Sequence, residues 1–196
     1  MRVIPHLILW RLGLARAETQ TTEAERECLA RHATARCRLV EIGVWHGVTT
    51  RRLCAAMARD GVLYAVDPYR KGRLGFSAQR YIAQRELRRS RCRTVRWIRM
   101  TGAAAGRAHA AAGGDPVDFL FIDGDHSYDG LKGDWEAWSD QVAPGGVVAL
   151  HDSRSTPERS IDDAGSVQFT REVILRDPRF ESVDVVDSLT VVRRCA

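Results

Sequence analysis

With 196 residues, 44% hydrophobic and 28% charged, the chain has room for one domain with a sizeable core, and its composition excludes the disordered, collagen-like and fibrous classes. Its net charge of +5 is carried almost wholly by arginine, since Lys71 and Lys132 are the only lysines. A single domain over 1–196 is expected, with 1–21 as an N-terminal extension.

In chain order, the first apolar stretch is Val3 to Trp10, broken by Pro5 and His6 and bounded by Arg2 and Arg11. It falls short of the roughly 20 apolar residues that a membrane span requires, and no small-residue cleavage site follows it, so neither membrane nor secretion is expected. As an exposed apolar segment it suits contact with a second subunit in a homo-oligomer.

Thr22 to Arg36 then reads as a helix, opened by Thr22 and Glu25 as a capping box, with Leu29 and Ala33 on one face. The first strand follows at Arg38 to Ile42 and ends at Gly43. A helix from about Thr49 to Arg59 leads to a second strand, Val62 to Val66, stopped by Asp67-Pro68. Ser77 to Arg89 is helical, Thr94 to Ile98 a third strand, and the alanine-rich run Ala103 to Ala112 another helix. Val117 to Ile122, apolar except for Asp118, has the pattern of a strand buried on both faces.

Tyr128 to Val142 follows as a helix with Leu131, Trp135, Trp138 and Val142 along one face. Pro144-Gly145-Gly146 reads as a turn into a fifth strand, Val147 to Leu150. Ser153 to Ser166 has no apolar period and reads as a lid loop over 153–166. A last helix, Val167 to Leu175, leads to two strands, Phe180 to Val186 and Leu189 to Arg193, joined by Asp187-Ser188 and so antiparallel. Strands alternating with helices predict an α/β fold with a doubly wound, mostly parallel sheet.

Five cysteines, Cys28, Cys37, Cys54, Cys92 and Cys195, are odd in number, widely spaced and never in a C-x-x-C pair, which argues against a disulfide framework and a zinc site. A reducing cytoplasm is the expected location. The densest basic run, Arg85, Arg88, Arg89, Arg91, Arg93, Arg96 and Arg99, lacks interleaved stacking residues or a nucleic-acid motif, so it reads as a solvated face, with no nucleic-acid partner expected.

Three places carry chemistry. Glu41-Ile42-Gly43-Val44-Trp45-His46-Gly47-Val48-Thr49 is a strand entering a glycine-bearing turn and then a helix, where a nucleotide-like ligand sits in a doubly wound sheet. A dinucleotide fingerprint would need glycine where Trp45 stands, so the turn disfavours NAD. Asp67, ending the second strand, has two acceptor oxygens for the hydroxyls of a ribose. Asp123 ends strand four and His151-Asp152 end strand five, about 5 Å apart if those strands are neighbours, a spacing at which carboxylates repel unless a cation or shared proton offsets them. Such a cluster suits a divalent cation, and His126, three residues after Asp123, is placed as a base.

The strings Glu41 to Thr49, Val66-Asp67-Pro68-Tyr69, Phe121 to Tyr128 and Pro144 to Asp152, in that order, resemble class I S-adenosylmethionine-dependent methyltransferases. Within that class they are most similar to the small-molecule O-methyltransferases of the macrocin and cephalosporin-biosynthesis type. The resemblance runs from about Thr22 to Arg193 and implies a Rossmann-like seven-stranded sheet with an antiparallel last strand. It implies that Glu41, Gly43, Trp45, Gly47, Thr49, Asp67 and Asp123 belong to the cofactor site, that Asp123, His151 and Asp152 hold Mg²⁺ or another divalent cation, and that His126 is the general base with Asp123 beside it. Acceptor contacts would come from Met1 to Gln20, Gly124 to Asp129 and Ser153 to Ser166.

The chain departs from the family's pattern at two places. His151 stands where the first strand-five ligand is usually acidic, and Thr101-Gly102-Ala103-Ala104 replaces the acidic-serine pair beside the adenine. The reading that follows is methyl transfer from S-adenosylmethionine to a hydroxyl of a small-molecule acceptor, assisted by a cation. The alternatives are metal-free O- or N-methyl transfer on the same fold and a non-catalytic cofactor-binding domain.

Overall fold

A computed structural model describes residues 3–72, 75–90 and 94–196. Met1, Arg2 and, from the arginine run and the cysteine set, Arg91, Cys92 and Arg93 lie outside the described residues.

The strands β1 (Arg38–Ile42), β2 (Val62–Val66), β3 (Val95–Ile98), β4 (Val117–Ile122), β5 (Val142–Leu150), β6 (Phe180–Val186) and β7 (Leu189–Arg194) form one sheet in the order β3-β2-β1-β4-β5-β7-β6. Strands β1 to β5 pair in parallel, and β7 enters antiparallel between β5 and β6. This is the seven-stranded, mostly parallel sheet expected from the sequence. The chain order reverses direction across the sheet between β1 and β4, which opens a crevice at their carboxyl ends.

Strand alternation assigns the two faces. Leu39, Leu63, Phe119, Phe121, Val147 and Ala149 pack under α2 (Glu23–Ala33) and α3 (Val48–Ala56), through Cys28, Leu29, Ala33 and Leu53. Val40, Ile42, Leu120, Ile122, Val148 and Leu150 pack with α6 (Tyr128–Trp138) and α7 (Gly165–Glu172), through Leu131, Trp135, Trp138 and Phe169. Trp138 is fully buried and its indole N–H donates to the Gly102 carbonyl at 2.9 Å, locking α6 onto the start of α5 (Gly102–Ala111). A further helix, α4 (Ala78–Arg88), places Ala83 against Val44, Ala65 and Tyr69. Asp118, the polar residue in β4, accepts from the Cys37 and Arg38 N–H groups at 2.8 and 2.9 Å and so fixes the entry to β1.

The structure differs from the sequence reading at several boundaries. Val3–Arg11 is a helix, α1, because Pro5 falls in its first turn, where a missing N–H costs nothing. The second helix ends at Ala33, since Ala35 takes a left-handed φ of 61°. β5 begins at Val142, with Gly145 at φ 74° absorbing a register irregularity, so Pro144-Gly145-Gly146 is a kink within a strand. The helix predicted to reach Val142 stops at Trp138 and passes through a 3₁₀ turn, Ser139–Gln141.

Cys28, Cys37 and Cys195 are free thiols, but Cys54 is disulfide-bonded. That corrects the reading of the cysteines and removes their support for a reducing compartment. Among the described residues, no helix is long and apolar enough to cross a membrane.

Candidate active site

The carboxyl ends of β1, β2 and β4 open into a cavity of about 590 Å³. Gly43, Trp45, Thr49, Asp67, Asp123 and His126, all singled out in the sequence, line it together. Gly43 is required by two constraints at once. Its φ of +87° lies in the region that favours glycine, and a Cβ there would overlap the Asp123 carbonyl oxygen and come within 2.6 Å of its carbon. Trp45 also takes a left-handed φ, 51°, and remains 41% exposed, which leaves its indole free as a cavity wall.

Asp67 organises this turn. One carboxylate oxygen accepts from the N–H groups of Val44 and Trp45 at 3.1 and 3.3 Å, and the other from Tyr69 at 2.7 Å. Each carboxylate oxygen has two lone pairs, so the one facing Tyr69 keeps capacity for a ligand hydroxyl.

Two expected cofactor residues stand elsewhere. Gly47 caps α3 at φ 75°, where a Cβ would lie 3.1 Å from the Ala83 Cα, so its role is to let α3 approach α4. Glu41 is fully buried and outside the cavity lining, because period-two alternation turns it with Leu39 toward α2 and α3 while Ile42 faces the cavity. Burial, reinforced by the Asp123 and Asp67 carboxylates and opposed by the Thr50 hydroxyl, pushes the Glu41 pKa well above the usual carboxylate range.

The sequence reading missed Asp134 and Arg70 in the same cavity, while Glu18 comes from the Met1 to Gln20 segment expected to meet the acceptor. Asp134 sits three residues after Leu131 and one before Trp135, on the buried face of α6, which is the signal that would have found it. Burial raises its pKa to about 6, against the pull of the Ala103 backbone N–H. Among the described residues, the lining carries the carboxylates of Glu18, Asp67, Asp123, Asp125, Asp129 and Asp134 and one permanently charged cation, Arg70. A concave surface of one sign concentrates ligands of the opposite sign. The cavity therefore suits a positively charged ligand of nucleoside size, and its volume, acceptor oxygens and lack of a phosphate-binding glycine at Trp45 fit S-adenosylmethionine better than a dinucleotide.

The strand-end cluster lies at the cavity's edge. His126 is partly exposed, with Nε2 3.5 Å from Asp123 Oδ1. His151 is buried, with Nδ1 2.9 Å from the same Asp123 oxygen and Nε2 3.5 Å from Glu25. Burial alone would depress its pKa, but the Asp123 and Glu25 carboxylates outweigh burial and raise it to about 10. Glu25 also takes the N–H of Thr22 as a capping box and the N–H and hydroxyl of Ser188 at 3.0 and 2.7 Å, tying α2 to the β6–β7 turn.

The expected metal set does not fit these contacts. Both oxygens of Asp152 are held by the Arg159 guanidinium at 2.8 and 3.0 Å, and neither His151 nor Asp152 lines the cavity. Asp123, His126 and His151 remain within 4.8 Å of one another, but one carboxylate and two imidazoles are not the oxygen-rich set that Mg²⁺ selects.

A family model described as a methyltransferase domain matches residues 40–153, more than half of the chain. An uncharacterised protein, y4gI, from Sinorhizobium fredii is 29% identical over 126 residues, and the match covers 62% of this chain but only 14% of that much longer protein. Among solved structures, the O-methyltransferase TomG from Streptomyces achromogenes, in complex with SAM, superposes with a TM-score of 0.70 at 15% identity, covering 100% of this chain and 91% of that one. An O-methyltransferase from Bacillus cereus in complex with SAH gives 0.67 at 17% identity, covering 99% and 91%. The chain belongs to the methyltransferase-domain family.

Proposed function

We propose that the protein is an S-adenosylmethionine-dependent methyltransferase acting on a hydroxyl of a small molecule, of sugar or natural-product type. The observation that carries this reading is the acidic cavity at the β1–β4 crevice, whose six carboxylates against Arg70 match a cofactor bearing a sulfonium and an ammonium group. When bound, that cofactor supplies an activated methyl group, which passes to the acceptor oxygen as the carbon–sulfur bond breaks and leaves a neutral thioether.

The chain's own residues have three tasks in that displacement. Asp67 holds the ribose hydroxyls through the lone pairs left over from the turn, and Trp45 walls the site from water. His126, at the rim with Asp123 as its one ion-pair partner among the described residues, takes the proton that the acceptor hydroxyl loses. Asp123, 3.5 Å away, orients the ring and offsets the charge it gains.

The test is incubation of the protein with methyl-labelled S-adenosylmethionine and separate panels of hydroxylated small molecules, RNA and protein. Label on an oxygen of a small molecule is the expected outcome. Label confined to RNA, protein or an amine nitrogen overturns the acceptor class.

A further inference from the structure

The three acids gathered at the strand ends, Glu25, Asp123 and Asp152, need compensating positive charge wherever they stand this close. We propose that Arg159 supplies it at Asp152, occupying the place that the resemblance gives to a divalent cation, so that the strand-five acid holds a loop of this chain and not a metal ion.

Four observations carry the inference. The Arg159 guanidinium meets both Asp152 oxygens, 2.8 and 3.0 Å away, the two-pronged geometry in which arginine binds a carboxylate most strongly. Asp152 is buried while the Arg159 side chain is more than half exposed, so the fork closes the carboxylate off from solvent on its open side.

The segment that presents Arg159 is internally bonded. Thr156 and Arg159 exchange backbone hydrogen bonds at 3.0 and 3.2 Å, and Ser155 Oγ donates to Asp162 at 2.9 Å while accepting from the Ile161 N–H at 2.9 Å. The far end of the loop returns to the same residue, since Ser166 Oγ donates to the Asp152 carbonyl at 2.6 Å. Asp152, at a left-handed φ of 47°, is thus gripped through its side chain by the middle of 153–166 and through its backbone by the far end.

An incoming divalent ion would have to break two charge-assisted bonds and then sit beside the displaced guanidinium, which cannot lose its charge. His151 offers it no easier route, since its two nitrogens face Asp123 and Glu25. Arg159 is a positioning residue in this account: it holds the loop that closes over His126, whose carbonyl accepts the Ser166 N–H at 2.9 Å.

Mn²⁺ is the probe, since it accepts both oxygen and nitrogen ligands. Its binding to wild type and to Arg159→Ala is read by electron paramagnetic resonance and calorimetry, each with and without S-adenosylmethionine, so that failure of the cofactor reading leaves the metal measurement intact. Wild type is expected to show no saturable Mn²⁺ binding that His126→Ala or Asp152→Asn removes, the criterion that sets the strand ends apart from the His6, Glu18 and His46 cluster and the Cys28, His32 and Asp184 cluster. Arg159→Ala, which frees Asp152 at 3.9 Å from the His151 Nδ1 that also meets Asp123, is expected to gain Mn²⁺ affinity by at least about tenfold, the scale on which groups behind a metal site act. Saturable micromolar binding to wild type, whether on Asp152 or on Asp123, His126 and His151, overturns the proposal. So does a folded Arg159→Ala protein, judged by its circular dichroism and melting, that gains no affinity. Arg159→Lys, which keeps one positive charge without the fork, is expected to fall between the two.

Discussion

Gly43→Ala is expected to lower the stability of the protein by about 2–4 kcal/mol, combining the cost of overpacking a rigid site with that of a left-handed backbone. The added methyl overlaps the Asp123 carbonyl, and neither side can yield, because Gly43 N–H donates to Val66 at 2.9 Å and Asp123 N–H to Ile42 at 2.8 Å. Since the strand ends that would have to part are the floor of the cavity, cofactor binding is expected to fail in whatever fraction remains folded. Urea denaturation followed by circular dichroism measures the first effect, and Gly145→Ala is the matched control. It has φ +74° with nothing within 4 Å of its Cβ, so it carries only the backbone cost, about 1 kcal/mol. Equal losses for the two variants would contradict the close-approach argument.

Removing the imidazole at position 126 should separate chemistry from binding. His126→Ala is expected to lower turnover by roughly 10²–10⁴-fold, the range for loss of a general base, with S-adenosylmethionine affinity and melting temperature close to wild type. The reason is its position: the ring is partly exposed at the rim and its one ion-pair contact among the described residues is with Asp123, so little of the fold depends on it. His151→Ala should behave in the opposite way. It leaves Glu25 and Asp123 facing a buried gap without their shared partner, and is expected to lower stability first and activity as a consequence. If His126→Ala lost cofactor affinity and kept turnover, His126 would be a binding residue and the base would lie elsewhere.

The contrast between these two histidines shows what could be read from the chain. Strand order, the antiparallel final pair, the Asp67 turn and the approach of His126 to Asp123 all have local signatures: apolar runs of strand length, a proline stop, a three-residue spacing on one loop. The contacts that decide the role of the strand-five end have none. Glu25 reads locally as one half of a capping box, yet it bonds Ser188, 163 residues away, and faces His151. Arg159 reads as one charge in a polar loop, and its fork on Asp152 depends on how that loop folds back.

Glu41 shows a different limit. The resemblance gives it to the cofactor site, but alternation along β1 turns it with Leu39 toward α2 and α3, while Ile42, on the opposite face, and Gly43, in the turn beyond the strand, line the cavity. The N-terminal helix was hidden by Pro5 and His6, which look like breaks until the helix start is placed at Val3.

The most direct measurement is the calorimetric titration of S-adenosylmethionine into the folded protein and into Asp67→Ala and Asp67→Asn. The account predicts micromolar binding to wild type, weakened by at least about tenfold in both variants, since each loses the charged hydrogen bonds to the ribose. Asp67→Asn keeps one acceptor oxygen, enough for either the Val44 and Trp45 N–H groups or the Tyr69 N–H, so the circular dichroism and melting of each variant are measured alongside to separate loss of the ribose bonds from collapse of the turn. No binding to folded wild type, or equal binding to all three proteins, would contradict the assignment of this cavity to the cofactor.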